Sequence, residues 1–186
     1  MKRLFDFILV ILIIFVSLLP GLLVAIAIRL SSKGPILYWS DRVGKNNVIF
    51  RMPKFRTMRL DTPAVATHLL SNADQYLTPI GSFLRKFSLD ELPQLWSILI
   101  ADMSFVGPRP GLFNQDDLIA SRTQLGIDQL LPGLTGWAQI NGRDELSIPV
   151  KVQYDLEYLK RQSFWFDIKI LVLTSLKVAL RTGVLH

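Results

Sequence analysis

The sequence predicts an α+β fold, predominantly helical, with a membrane-embedded helix at the N-terminus, a small β-hairpin and amphipathic helices after it. Three observations predict this. No charge occurs from Phe7 to Ile28. Two short strand-like runs flank Gly44-Lys45-Asn46-Asn47, which carries turn chemistry. Pro149 to Arg161, and the run that follows Ser163, read as amphipathic helices. The 186 residues suit one modest domain with an appended anchor. Half of them are hydrophobic and the net charge is +6. A hydrophobic, basic chain suits an anionic membrane surface or a phosphate-rich ligand before nucleic acid. The absence of cysteine excludes disulfides, thiolate zinc sites and a cysteine nucleophile. His68 and His186 are the only histidines, too few for a multi-histidine metal site. Catalysis would have to use carboxylates, cations, hydroxyls and a hard metal ion.

The first element is MKRLFDFILVILIIFVSLLPGLLVAIAIRL. As a straight helix its uncharged run is about 33 Å long, enough for a hydrocarbon core of about 30 Å. No cleavage-site pattern follows, so the segment is expected to stay attached. Pro20-Gly21 falls near its middle, where proline removes a helical hydrogen bond. The half from Phe7 to Leu19 is only about 20 Å long and cannot cross alone. Lys2 and Arg3 precede the segment; Arg29, Lys33, Arg42 and Lys45 follow it. Basic residues at both ends favour the same side for both. A re-entrant helix that turns back at Pro20 satisfies this, and a kinked spanning helix is the alternative.

Ile36–Ser40 and Val48–Met52 are the expected strands. Asp61 to Thr78 is expected as a loop with a short helix. Pro79–Phe87 and Pro93–Ile100 read as short helices. Phe105–Gly111 (FVGPRPG) reads as irregular because of its prolines and glycines. Gln115–Leu130 reads as helical. Leu131–Glu145 reads as a second glycine-rich loop, suited to close approach of backbone to a ligand. Ser163 is the expected cap of the last helix and Gly183 its stop. Asp167, Thr174, Lys177 and Arg181 share one face of that helix, which is read either as an interfacial helix or as a core helix.

FSLDELPQL carries two adjacent acids, Asp90 and Glu91. Ser88-Leu89-Asp90-Glu91 matches a capping box, with Ser88 as the cap and Glu91 three residues on. Pro93 favours a start at or near Asp90 instead, because proline then falls among donors that have no partner anyway. A turn at Ser88 stays open. A helix start at Asp90 would also present a positive dipole end to phosphate. The cations Lys54, Arg56, Arg85, Arg109 and Arg143 surround this motif in sequence, several of them in rigid segments. Cations, paired acids and glycine loops together describe a site for a diphosphate with a hard metal.

Five blocks carry a resemblance: KFRTM, SLDELPQLW, DMSFVGPRP, PGLTGWAQINGR and YDLEYLKRQSFWFDIKIL, after the basic-flanked segment with its central proline. In this order they resemble the bacterial sugar transferases, small monotopic phosphoglycosyl transferases. The resemblance implies a re-entrant membrane helix hairpin over residues 1–32 and a cytosol-facing catalytic domain over 33–186, with membrane-surface helices. It implies transfer of a phosphosugar from a UDP-sugar to undecaprenyl phosphate at the bacterial inner membrane, releasing UMP. Asp90 would be the nucleophile, forming a covalent phosphosugar intermediate. Glu91 would be its metal-binding or acid–base partner, with Asp90 and Glu91 holding Mg²⁺ or Mn²⁺. Lys54, Arg56, Arg85, Arg109 and Arg143 would grip the phosphates or the uridine diphosphate. Downstream glycosyltransferases are implied partners, and an N-acetylated sugar is implied by analogy with short members. Leu19 stands where the family usually has serine before Pro20, and Leu131 where it usually has arginine. Two other readings are a membrane-associated, metal-dependent diphosphatase and a catalytically silent assembly protein.

Overall fold

The computed structural model describes residues 2–63, 73–142 and 146–180. Helix α1 runs over Lys2–Ser31 as a single helical element with Pro20 inside it. Proline removes a single backbone bond, and the bonds on either side continue the helix. Among described helices, α1 alone is long and apolar enough to cross a membrane. Its burial is confined to its two ends. Asp6 and Val10 are buried near the start, Val24 and Ile28 near the finish. Between them Phe15 is 77% exposed, Val16 75% and Leu19 67%.

Both ends of α1 are tied to the same domain. At the start, Lys2 Nζ pairs with Asp167 Oδ2 at 2.6 Å, and Arg3 donates to the Leu99 carbonyl at 3.1 Å. Ser104 Oγ donates to the buried Asp6 carboxylate at 2.8 Å. At the finish, Arg56 donates to the Lys33 carbonyl at 2.7 Å and the Ser32 carbonyl at 3.1 Å. These carbonyls lie just past the helix, where acceptors lack intrahelical donors.

The hairpin forms as expected, somewhat longer. Strands β1 (Leu37–Val43) and β2 (Ile49–Phe55) are antiparallel, with Tyr38 opposite Lys54. Asn46 and Asn47 take positive φ in the connecting 3-10 turn, a conformation asparagine tolerates. Helix α2 (Gly81–Lys86) follows, then a 3-10 segment over Leu89–Gln94 and helix α3 (Leu95–Leu99). Residues 64–72 of the expected loop lie outside the described residues.

Two regions read as irregular contain strands. Strands β3 (Ser104–Val106) and β4 (Gly133–Thr135) pair in parallel, Ser104 with Gly133 and Val106 with Thr135. Three residues are too few for a periodic pattern to show in sequence. The glycines have a different use from the one expected. A Cβ on Gly133 would lie 2.1 Å from the Gly107 nitrogen, and one on Gly136 2.1 Å from the Gly107 oxygen. They let two backbone segments touch each other. Helix α4 (Asp116–Gln124) covers less than the expected helix, and a 3-10 turn at Ile127–Gln129 completes the stretch. The short α5 (Trp137–Ile140) occupies the second glycine-rich loop.

Helix α6 (Ile148–Arg161) leads into α7 (Phe164–Leu180). Ser163 caps α7 as expected, its Oγ accepting from Phe166 N–H at 3.2 Å. Gly183 and Arg181 lie outside the described residues. The polar face of α7 turns inward. Asp167 accepts from Tyr158 Oη at 2.7 Å, Thr174 bonds Thr135 at 2.7 Å, and Lys177 donates to the Ile140 carbonyl. The outward face is apolar: Trp165 is 78% exposed and Leu180 69%. The main core joins Val10, Met52, Ile98, Phe105, Tyr158 and Ile170, so α1, β2, α3, β3, α6 and α7 share it.

Candidate active site

Strand alternation explains the position of Lys54. Phe50, Met52 and Lys54 share one face of β2, and Phe50 and Met52 are buried in the main core. The same face carries Lys54 to the 3-10 segment, where Asp90 is buried. Lys54 Nζ donates to Glu91 Oε1 at 3.1 Å. Arg109 donates to the same oxygen at 3.2 Å. Arg85, on α2, is aimed by Thr57, whose Oγ1 accepts from its Nε at 3.0 Å. Structure therefore brings together Lys54, Arg85, Asp90, Glu91 and Arg109.

Charge and burial act against each other here. Burial pushes the Asp90 carboxyl above its usual range, and Glu91 adds to this; Lys54, Arg85 and Arg109 oppose it. Burial likewise pulls the Lys54 ammonium down, helped by Arg109 and Arg42, while Glu91 and Asp90 hold it up. Two acids and three cations in a dehydrated place attract an anion that can share the cations. A diphosphate fits this chemistry, and arginines recognise phosphate oxygens well.

The motif's local structure differs from both readings of FSLDELPQL. Ser88 stands at the start of the 3-10 segment in the left-handed region, φ 53°, with no side-chain cap. Asp90 is inside the first turn, so neither the capping box nor a cap at Asp90 forms. The α-helix proper starts at Leu95 and has five residues. The dipole argument for phosphate at Asp90 therefore loses its basis. The segment starts at Leu89, so Pro93 is its fifth residue, where the missing N–H removes the first α-helical hydrogen bond, to the Leu89 carbonyl.

The Gly107–Gly111 loop is held from outside by its carbonyls. Gly133 N–H donates to Pro108 O at 2.9 Å, and Val43 N–H to Gly111 O at 3.0 Å. Arg122 donates to Arg109 O at 2.8 Å, and Arg42 to Pro110 O at 3.2 Å. Arg122 is itself paired with buried Asp155 at 2.6 Å. This is how a segment without regular structure becomes rigid enough to aim Arg109. The sequence reading missed Arg42, Thr57, Arg122 and Asp155. Two of them stood in blocks already singled out, Thr57 in KFRTM and Asp155 in YDLEYLKRQSFWFDIKIL.

Two expected residues stand elsewhere. The Arg56 guanidinium donates to Ser32 and Lys33 at the end of α1, and Arg56 is 4% exposed. Arg143 lies outside the described residues. Pro20 is exposed in the middle of α1.

A sequence comparison adds to this geometry. The pattern of the family described as bacterial sugar transferase matches residues 1–181. The chain is 42% identical over 196 residues to an undecaprenyl-phosphate glucose phosphotransferase of Komagataeibacter xylinus, covering 93% of this chain and 35% of that protein. It is 40% identical over 162 residues to a UDP-glucose:undecaprenyl-phosphate glucose-1-phosphate transferase of Escherichia coli, covering 83% and 35%. It is 38% identical over 184 residues to the uncharacterized sugar transferase EpsL of Bacillus subtilis, covering 99% and 90%. The chain thus spans about a third of the first two relatives (35% each) and most of the third.

Proposed function

The chain belongs to the bacterial sugar transferase family, and on that premise we propose that it transfers a sugar 1-phosphate from a UDP-sugar to undecaprenyl phosphate, releasing UMP. The observation that carries this reading is buried Asp90, beside Glu91 and faced by Lys54, Arg85 and Arg109. Relatives in the comparison are named for transfer of glucose, galactose or N-acetylgalactosamine to that lipid. The proposal for this chain extends to the hexose class. The product would feed glycosyltransferases that extend a cell-surface glycan.

In the proposed reaction an Asp90 carboxylate oxygen attacks the phosphorus that bears the sugar. The new bond is Asp90 O–P; the bond to the UMP oxygen breaks, and UMP leaves with that electron pair. A phosphate oxygen of the lipid then attacks the same phosphorus, and the Asp90 carboxylate leaves. A carboxylate is a weak nucleophile, so the negative charge on its target must be masked. Lys54, Arg85 and Arg109 stand where they can do so. Glu91 holds Lys54 and Arg109 in place from one oxygen, Oε1.

Asp90 and Glu91 fit Mg²⁺ or Mn²⁺. Among the described residues no group of three or more metal-ligating side chains assembles, and Mg²⁺ commonly takes one or two carboxylates plus substrate phosphates. Asp90 and Glu91 would hold the ion, which supplies charge neutralisation at the diphosphate when bound.

For the membrane, we propose a re-entrant α1, with residues 1–32 embedded and 33–186 on the cytoplasmic face of the inner membrane. The ties at both ends of α1 support this. A helix crossing about 30 Å of hydrocarbon has its ends on opposite faces, where one domain cannot hold both. The exposed apolar centre of α1 and the apolar outer face of α7 would set the site at the height of the lipid phosphate.

The test is release of UMP from UDP-sugars with and without undecaprenyl phosphate. Acceptor-dependent UMP is expected, and acceptor-independent hydrolysis would mean a diphosphatase. Asp90→Asn should abolish turnover and any labelled protein adduct from the UDP-sugar. An adduct that survives in Asp90→Asn would sink Asp90 as nucleophile.

A further inference from the structure

A cavity of about 280 Å³ opens beside the acids, between the first half of α1, the 3-10 segment, β4, α5 and α7. Ser88 and Glu91 form part of its wall. Apolar side chains from several elements, including Ile13, Leu92, Leu95, Phe105, Leu171 and Val178, form much of the rest.

The polar side chains in that wall are mostly engaged within the protein. Thr135 and Thr174 bond each other at 2.7 Å. Ser175 Oγ donates to Leu171 O at 3.0 Å, Gln139 Nε2 to Leu134 O at 2.9 Å, and Lys177 to Ile140 O. Gln139 Oε1 is a buried acceptor with no partner among the described residues. The surface left to a ligand is therefore largely apolar, with the Glu91 carboxylate and the Lys177 ammonium as its charged groups. An apolar cavity with few polar groups favours burial of a hydrocarbon over a sugar, which needs many free donors and acceptors.

The surroundings say where such a hydrocarbon comes from. The cavity reaches Glu91, so a ligand inside it can have one end beside that acid. Its walls include α1 and α7, the helices whose outer faces are apolar and exposed. Val178 is both a wall residue and 44% exposed. We propose that this cavity receives the first isoprenoid units of the polyprenyl phosphate acceptor, entering between α1 and α7 with the phosphate end toward Glu91. The inference rests on the acceptor named under the proposed function, and it makes Ser175 and Val178 determinants of acceptor binding.

Ser175→Trp and Val178→Trp fill the cavity from exposed positions of α7, and a thermal melt checks that each variant folds. In steady state, each should raise KM for undecaprenyl phosphate about tenfold and leave KM for the UDP-sugar unchanged. An unchanged acceptor KM overturns the proposal. So does a raised donor KM in its place, which would put the sugar against Gln139. A second reading needs no turnover: photolabelling the full chain in detergent with a polyprenyl phosphate carrying a diazirine in its first isoprenoid units. Labelling should fall on the peptide Phe164–Leu180 and drop in both tryptophan variants. Labelling confined to peptides that carry no residue of the cavity wall, or labelling the tryptophans do not change, overturns the proposal. Labelling of this peptide without acceptor-dependent UMP release would refute the transferase reading and leave the cavity assignment standing.

Discussion

Arg122 and Asp155 form a buried ion pair, 2.6 Å between Nη2 and Oδ2, and the same guanidinium holds the carbonyl of Arg109. The pair joins α4 to α6 and fixes the loop that aims a candidate phosphate ligand. Burial pushes Asp155 up, and Arg122 counteracts that by charge and hydrogen bond.

Arg122→Ala should lower stability by about 3–5 kcal/mol, because it leaves a buried carboxylate unpaired. Arg122→Met with Asp155→Leu should recover most of that stability. It should not recover the KM for UDP-sugar, since the Arg109 carbonyl still lacks its donor. Urea unfolding and steady-state kinetics on the same preparations separate these effects. Recovery of both would mean that the pair serves packing alone.

Arg56 and Arg85 come from neighbouring motifs, yet their surroundings differ. Arg56 ties the end of α1 and Arg85 faces Asp90. Arg56→Ala should lower the melting temperature by several degrees, following loss of hydrogen bonds worth about 1.5–3 kcal/mol to a charged donor. Arg85→Ala should cut kcat/KM about 100-fold, on the order of 2.7 kcal/mol of transition-state binding, with little change in melting. Similar profiles for the two variants would contradict this division.

The proposed re-entrant topology rests on the two tethered ends of α1. With single cysteines at Leu4 and Lys33, both should react with a membrane-impermeant thiol reagent from the same side of inverted vesicles. Reaction from opposite sides would establish a spanning helix. Lys2→Ala with Arg3→Ala should loosen the start of α1 and increase protease access there.

Alkaline pH should destabilise the fold through Tyr158. Burial pushes its phenol well above the ordinary value of 10, with Asp167 adding to the shift. The folded pKa is higher than the unfolded one, so this contribution is complete below about pH 10 and is lost as pH rises further. Urea midpoints should fall between pH 9 and about 11 in the native chain, and less steeply in Tyr158→Phe. Equal slopes would remove Tyr158 as the cause.

Much of the candidate site was legible as residue types. Asp90, Glu91, Lys54, Arg85 and Arg109 lie in short, distinctive motifs, and the structure gathers them. Arg56 shows the limit of that reading. A cation in KFRTM has the same sequence signal whether it faces a phosphate or a helix end, because strand alternation and the path of α1 decide its direction.

The sequence by itself determined the apolar N-terminal helix, the hairpin with its asparagine turn, and the capped final helix. These rest on local physics: an uncharged run, turn residues that accept positive φ, and a serine ahead of an amphipathic stretch. Tertiary structure decided the rest. The β3–β4 pair depends on Gly107 and Gly133 meeting across 26 residues of sequence. The polar face of α7 turns inward because Tyr158, Thr135 and Lys2 offer it partners there. FSLDELPQL forms a 3-10 turn because Pro93 denies it a helix and β2 packs Lys54 against it. Partners distant in the chain leave no periodic trace in sequence, so only the folded arrangement could select among the local options.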